Sequence, residues 1–283
     1  MRILVTGAKG MLGTDLCARL TAEHDVLPYD LPELDITDGA ATRTLLRQER
    51  PQVVIHCAAY TNVDGCEREP ETAFRVNGFG SWNVAAACQK VDAALVYIGT
   101  DFVFDGEKGA SYDEFDQTNP LGTYGRSKLA GEMIVREMLP RHYIARTAWL
   151  FGVHGNNFVK AIMKRARETG AVQVVADQVG CPTHTVDLAE ALAQLITTPL
   201  YGTYHITNTG SCSWADFAEE ILRQAQIDAQ VTRISAADWP SPTRRPKDSR
   251  LRHLALEMQG RDNLRPWQEA LAHYLELSHG ASK

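Results

Sequence analysis

Tyr124 and Lys128 stand four positions apart, which on a helix places them one turn apart on the same face. An ammonium so close favours a tyrosinate and lowers a phenol pKa that ordinarily sits near about 10. A tyrosine tuned in this way gives a proton to a substrate oxygen, or takes one from it, near neutral pH. Thr100, in the upstream run Gly99-Thr100-Asp101, is suited to hydrogen-bond that same oxygen. The chain has nine tyrosines, so a Tyr-x-x-x-Lys pair also arises by chance. The pair gains its meaning from the N-terminal segment, because hydride transfer to a carbonyl needs such an acid.

That segment reads as strand, glycine turn, helix. Arg2-Ile3-Leu4-Val5-Thr6 has the apolar character of a buried parallel strand. Gly7-Ala8-Lys9-Gly10-Met11-Leu12-Gly13 follows, and then a helical pattern with Leu16 and Leu20 on one face. The spacing is G-x-x-G-x-x-G rather than G-x-G-x-x-G. In this context it still predicts a dinucleotide fingerprint, with Gly7, Gly10, Met11, Leu12 and Gly13 at the cofactor. The glycines allow a tight turn, and a pyrophosphate can then approach the free N–H groups at the helix N-terminus. Asp30 closes the second strand where a carboxylate holds an adenosine ribose hydroxyl and repels a 2′-phosphate. Lys9 pulls the other way, so Asp30 gives only a lean towards NAD(H). Asp35 and Ile36 are expected to edge the adenine, with Asp38 an alternative helix cap.

Residues 51–57 form a third strand, in which His56 reads as structural. Its exit, Ala58-Ala59-Tyr60-Thr61, has small residues that let backbone lie against a cofactor. A long helix is predicted from Pro70 through Asn77 to about Gln89. A fourth strand at residues 94–98 runs into Thr100 and Asp101, at the carboxyl end that faces the ligand crevice. Tyr124–Met138 is the next helix, and residues 143–149 a fifth strand with Trp149 at its mouth. Trp149 either stacks on a sugar or base, or belongs to the core. Further strands are expected at 172–176, 201–207 and 231–234, with helices at 184–197, 213–224 and 266–277. Residues 240–250 are rich in Pro and Arg within an acidic protein. They read either as a clamp for a phosphorylated substrate, through Arg245, or as solvated charge.

These alternations predict an α/β fold, a Rossmann-type doubly wound parallel sheet with a smaller C-terminal substrate-binding lobe. The boundary is soft and is placed near residue 176, giving a dinucleotide-binding domain (1–176) and a lobe (177–283) with some segments interleaved. The formal charge of −6 argues against nucleic acid as a partner. No apolar run approaches the roughly 18–20 residues of a membrane span. The N-terminal strand leaves no room for a signal peptide. Six cysteines without C-x-x-C or zinc spacing suit reduced thiols and a cytoplasmic setting.

The glycine run, Thr100 and Tyr124-x-x-x-Lys128 together resemble the extended short-chain dehydrogenase/reductase superfamily. Further stretches sharpen this: Ala58-Ala59-Tyr60-Thr61-x-Val63-Asp64, Thr100-Asp101-Phe102-Val103-Phe104-Asp105-Gly106, Arg146-Thr147-x-Trp149, Gly155-Asn156-Asn157-Phe158, Asp177-Gln178-x-Gly180-x-Pro182-Thr183 and Arg245-Pro246-x-x-Ser249. In order and over nearly the whole chain they resemble the dTDP-4-dehydrorhamnose reductase family. The resemblance implies a dTDP-sugar substrate and a hydride from NADH or NADPH to its C4 ketone. Tyr124 would protonate the emerging alkoxide, and Lys128 would hold the nicotinamide ribose while lowering the Tyr124 pKa. Thr100 would tune that hydrogen bond, and Asp101 and Trp149 would contact substrate. Asn77 is implied to bridge backbone segments beside the cofactor. Phe102 stands where related dehydratases carry a second acid, so elimination chemistry is not implied. Some relatives dimerise through magnesium; Asp15 and Glu190 are the acids to consider, and no metal is predicted. The expectation is a monomer or homodimer. The alternatives are a reductase or epimerase of another nucleotide sugar, or a non-catalytic regulatory subunit of the same fold.

Overall fold

Strands that are apolar on both faces are stable only where helices cover both sides of the sheet. The computed structural model describes residues 1–280 and has this layout. Its large sheet is made of β1 (Arg2–Thr6), β2 (Asp25–Tyr29), β3 (Val53–His56), β4 (Ala94–Thr100), β5 (His142–Thr147) and β6 (Gly202–His205). All pair in parallel, in the order β6-β5-β4-β3-β1-β2. Alternate residues point to opposite layers. Ile3, Val5, Ile55 and Val96 meet α1 (Met11–Thr21) and α6 (Thr185–Leu195) through Leu12, Leu16, Leu188 and Leu192. Leu4, Val54, Leu95 and Tyr97 face α2 (Gly39–Glu49), α3 (Ser81–Val91) and α4 (Thr123–Met138). The strands finish level at their carboxyl ends, with Thr6 beside His56 and Thr100 beside Thr147. The chain reverses direction across the sheet at β1, so a crevice opens there.

Two elements differ from expectation. The strand expected at 172–176 forms as Ala171–Val175, but it pairs with Gln230–Ile234 in a two-stranded ribbon outside the large sheet. The helix expected from Pro70 to Gln89 is interrupted. Pro70–Ala73 passes into a π turn, Phe74–Gly80, before α3 begins. Such wide turns are frequent at functional sites, and this one carries Asn77, which bridges neighbouring segments.

The smaller lobe is built on α5 (Phe158–Thr169), α7 (Trp214–Gln224) and α8 (Trp267–Gly280), around Phe151, Ile162, Phe217, Ile221 and Leu271. Ser213 and Asp216 form a capping box at the start of α7. The chain crosses between the two units more than once. α5 already packs in the lobe, while α6 and β6 return to the large sheet. No helix among the described residues is long and apolar enough to cross a membrane.

Candidate active site

One cleft of about 730 Å³ runs along the carboxyl edge of the sheet and beneath the lobe. Its inner end is the glycine turn. Gly7 has φ +67°, and a Cβ there would meet the Ala58 nitrogen at 2.6 Å; one on Gly13 would meet the Gly7 oxygen at 2.1 Å. Side chains at either position would fill the space between β1, α1 and the exit of β3. α1 starts at Gly10 with no side-chain cap, which leaves its first N–H groups to bind an anion. This bare, close-packed cradle fits a dinucleotide diphosphate. Asp30 closes β2 beside it, accepting hydrogen bonds from the backbone nitrogens of Lys9 (2.8 Å) and Leu31 (2.8 Å). The Lys9 ammonium turns away to Glu33, at 3.0 and 3.1 Å.

The centre of the cleft carries the ionisable groups. α4 presents Tyr124 and Lys128, and the end of β4 presents Thr100 and Asp101. The Tyr124 ring stands edge-to-face against Phe102, with centroids 5.5 Å apart. Lys128 is buried, its Nζ 4.3 Å from the centre of the Tyr97 ring. Burial lowers its pKa to about 8, against the raising influence of Cys57 and Glu132. Here the expected electrostatics need correction. Burial raises the Tyr124 phenol above its ordinary value, the Thr100 hydroxyl opposes this, and Asp101 adds to it. Desolvation therefore outweighs the lowering expected from a neighbouring ammonium. Asp101 is buried, accepting from Ser249 Oγ at 2.6 Å and from Thr100 Oγ1 at 3.1 Å. Burial raises its carboxyl to about 6 despite those bonds.

The outer end is roofed by the lobe. Trp149 and Trp214 both line it, stacked on each other with centroids 3.4 Å apart, and Phe158 packs on Trp214 at 4.5 Å. Arg245 also lines the cleft. Its Nη2 lies 3.3 Å from Asp64, and its buried Nε has no partner among the described residues. Asp64 is further held by Ser241 and Thr243 at 3.0 and 2.8 Å, which pins the Pro- and Arg-rich loop onto the dinucleotide domain.

A family profile described as the RmlD substrate binding domain matches residues 1–279. A dTDP-4-dehydrorhamnose reductase of Streptomyces griseus is 43% identical over 278 residues, covering 95% of this chain and 91% of its own. The chain belongs to the dTDP-4-dehydrorhamnose reductase family. Among solved members, the reductase of Clostridium acetobutylicum superposes with a TM-score of 0.96 at 45% identity, covering 98% of this chain and 99% of that one. The Bacillus anthracis reductase, in complex with NADP, gives 0.95 at 43%, covering 97% and 98%.

In this member of the family most of the expected site residues line the cleft. They are Gly7, Gly10, Met11, Leu12, Gly13, Asp30, Asp35, Ile36, Ala58, Ala59 and Thr61 from the dinucleotide-type segments, Thr100, Asp101, Tyr124 and Lys128 from β4 and α4, and Trp149 and Arg245. Asn77 and Tyr60 lie behind it. Asn77 is buried and bridges the Tyr60 backbone (2.8 and 3.1 Å) to Ser127 (3.0 Å), so it braces the wall and stays out of the cleft. His56 is held between Thr6 (2.7 Å) and Ser81 (3.2 Å), and burial keeps it neutral, with a pKa of about 3. Glu190 pairs with Arg19, and Asp15 accepts from Thr185. Sequence reasoning missed Trp214 and Phe158. Each is the first residue of a helix whose cap residue is legible, yet nothing along the chain says the two helix starts meet over Trp149.

Proposed function

We propose that this chain reduces the C4 ketone of dTDP-4-dehydro-L-rhamnose to dTDP-L-rhamnose, with NADH or NADPH as reductant and Tyr124 as proton donor. One observation carries the reading. Tyr124, Lys128, Thr100 and Asp101 line a single cleft together with a glycine cradle and an arginine whose buried Nε has no partner among the described residues. The dinucleotide, bound along the glycine turn, supplies the hydride. Tyr124 gives its phenolic proton to the C4 oxygen as charge develops there. An alkoxide is a far stronger base than a phenolate, so the transfer runs downhill even from a phenol that burial has made less acidic. The raised pKa keeps Tyr124 in its donor form. Lys128 stabilises the phenolate left behind and holds the nicotinamide ribose, while Thr100 hydrogen-bonds the same C4 oxygen. Asp101 accepts from sugar hydroxyls, and Arg245 turns its free N–H to the diphosphate. Phe102 supports reduction over elimination, since it offers no base beside the acid.

The test is to mix the protein with enzymatically made dTDP-4-dehydro-L-rhamnose and either reduced cofactor. The expected result is loss of the reduced-nicotinamide absorbance and a sugar product richer by two hydrogens. No oxidation with either cofactor defeats the reading. Tyr124→Phe should lower kcat by about 10²–10⁴-fold with cofactor affinity kept, because the acid acts only as charge builds on oxygen. A variant that keeps most of its turnover takes its proton from elsewhere.

A further inference from the structure

Of the two readings of Trp149, a ring stacked on a sugar or base and a core residue, the stacked one meets an obstacle, because both faces of the ring are covered. Trp214 lies on one, with centroids 3.4 Å apart and planes 7° apart. Gly180 lies on the other. A methyl group built on Gly180 would stand 2.4 Å from Cε2 of the Trp149 indole, 2.6 Å from Nε1 and 2.7 Å from Cζ2. The shortest distance falls on the atom bonded to the other two, the order produced by approach onto the ring face and not along its edge. Trp214 cannot be on that same side. A ring stacked 3.4 Å away would itself be the first thing the methyl met, and only Trp149 atoms are its nearest neighbours. One short antiparallel pairing sets both jaws: Gly180 stands opposite Cys212, and Trp214 follows directly after Ser213. Trp149 itself has φ +46°, a left-handed conformation that a bulky residue holds only where its surroundings fix it.

We propose that Gly180 and Trp214 are positioning residues that clamp Trp149, so that its indole meets the substrate edge-on instead of stacking on a sugar or base. The edge of an indole is electropositive and carries its N–H donor. It therefore selects an oxygen-rich ligand, such as sugar hydroxyls or phosphoryl oxygens, over a flat base. This deepens the function proposed above and rests on it for the identity of the sugar.

The clamp is tested with Gly180→Ala. Gly180 is not in the left-handed region, so alanine suits its backbone, and the first atoms its methyl meets are those of the indole. The KM for dTDP-4-dehydro-L-rhamnose should rise by about ten- to a hundredfold, the cost of misplacing a contact by about 1 Å, with the KM for reduced cofactor within about twofold. The exciton couplet that two stacked indoles give in circular dichroism should weaken without any substrate present. Gly180→Ala combined with Trp149→Ala should be no worse than Trp149→Ala alone, since the glycine acts through the indole. Equal rises in both KM values, additive losses in the double variant, or an unchanged couplet would each overturn the clamp. If the unsubstituted protein fails to turn over the dTDP-sugar, the substrate assignment falls, and the couplet still judges the clamp. Should Gly180→Ala not fold, Trp214→Leu opens the opposite jaw and is read by the same KM split.

Discussion

Asp101 carries the sharpest tension of any single residue in the cleft. It is buried beside Thr100 and Tyr124 with a carboxyl raised to about 6, and Ser249 is the strongest influence pulling it back down. A carboxyl with a folded pKa above its unfolded value binds its proton more tightly when folded. Its contribution to stability is thus fully present below about pH 4 and is lost as pH rises through about 6. Above that window the fold holds a buried charge, stabilised by two hydroxyl donors. Ser249→Ala removes one of them, so Asp101 should titrate at higher pH. Because a hydrogen bond to a charged group is worth about 1.5–3 kcal/mol, the acid limb of kcat/KM should move up by about one pH unit or more. The plateau above it should be largely kept. A limb that stays in place would mean that the ionisation of Asp101 does not govern activity.

At the scale of elements, the join between the glycine turn and the end of β2 is where NADH and NADPH would be told apart. Asp30 faces the cleft, and Lys9 is the nearby cation that a 2′-phosphate would seek, but Glu33 and the Leu31 carbonyl hold its ammonium at 3.0 and 3.2 Å. Freeing Lys9 by Glu33→Gln should lower the KM for NADPH relative to NADH by about two- to fivefold, the worth of one exposed ion pair. The shift should shrink in high salt. An unchanged ratio would show that Lys9 does not reach the phosphate. This join was legible in sequence because the glycines, Asp30 and Lys9 sit at fixed offsets along one strand-turn-helix unit. The long-range pairings were not. Residues 171–175 and 202–205 are both short, strand-like runs, and only packing decides that the second joins the large sheet and the first a separate ribbon. The π turn at 74–80 keeps a helical pattern of side chains, so its extra width leaves no mark in the residue spacing. The Tyr124 and Lys128 electrostatics were misjudged for a related reason: spacing reveals a neighbouring charge but not how much water is removed.

Across the whole molecule, the cleft floor and the returning strand of the chain are joined by one buried ion pair. Arg146 on β5 is 2% exposed and Glu132 on α4 is 0% exposed; Arg146 Nε donates to Glu132 Oε2 at 3.0 Å, and Nη2 makes a second contact. Arg146 also reaches His205 on β6 at 3.3 Å and lies over the Phe104 ring at 5.2 Å, while Arg136 donates to the same carboxylate at 2.8 Å. α4 carries Tyr124 and Lys128, so this pair ties the helix bearing the proposed acid to the far edge of the sheet. Replacing Glu132 by Ala strands the guanidinium without a counter-charge. The cost should be about 3–5 kcal/mol, because removing one partner of a buried pair leaves the other desolvated and unpaired. It would be read as a lower urea midpoint at an unchanged m value. If the loss comes from the stranded charge and not from the space Glu132 filled, adding Arg146→Met to Glu132→Leu should recover most of it. A double variant as unstable as Glu132→Ala would instead mean that the hydrogen bonds to His205 and Arg136, more than the charge balance, hold these layers together. The same double variant reports on the cleft, since Glu132 raises the Lys128 pKa. Without it the ammonium should lose its proton at lower pH, and the basic limb of turnover should move down even where stability has been regained.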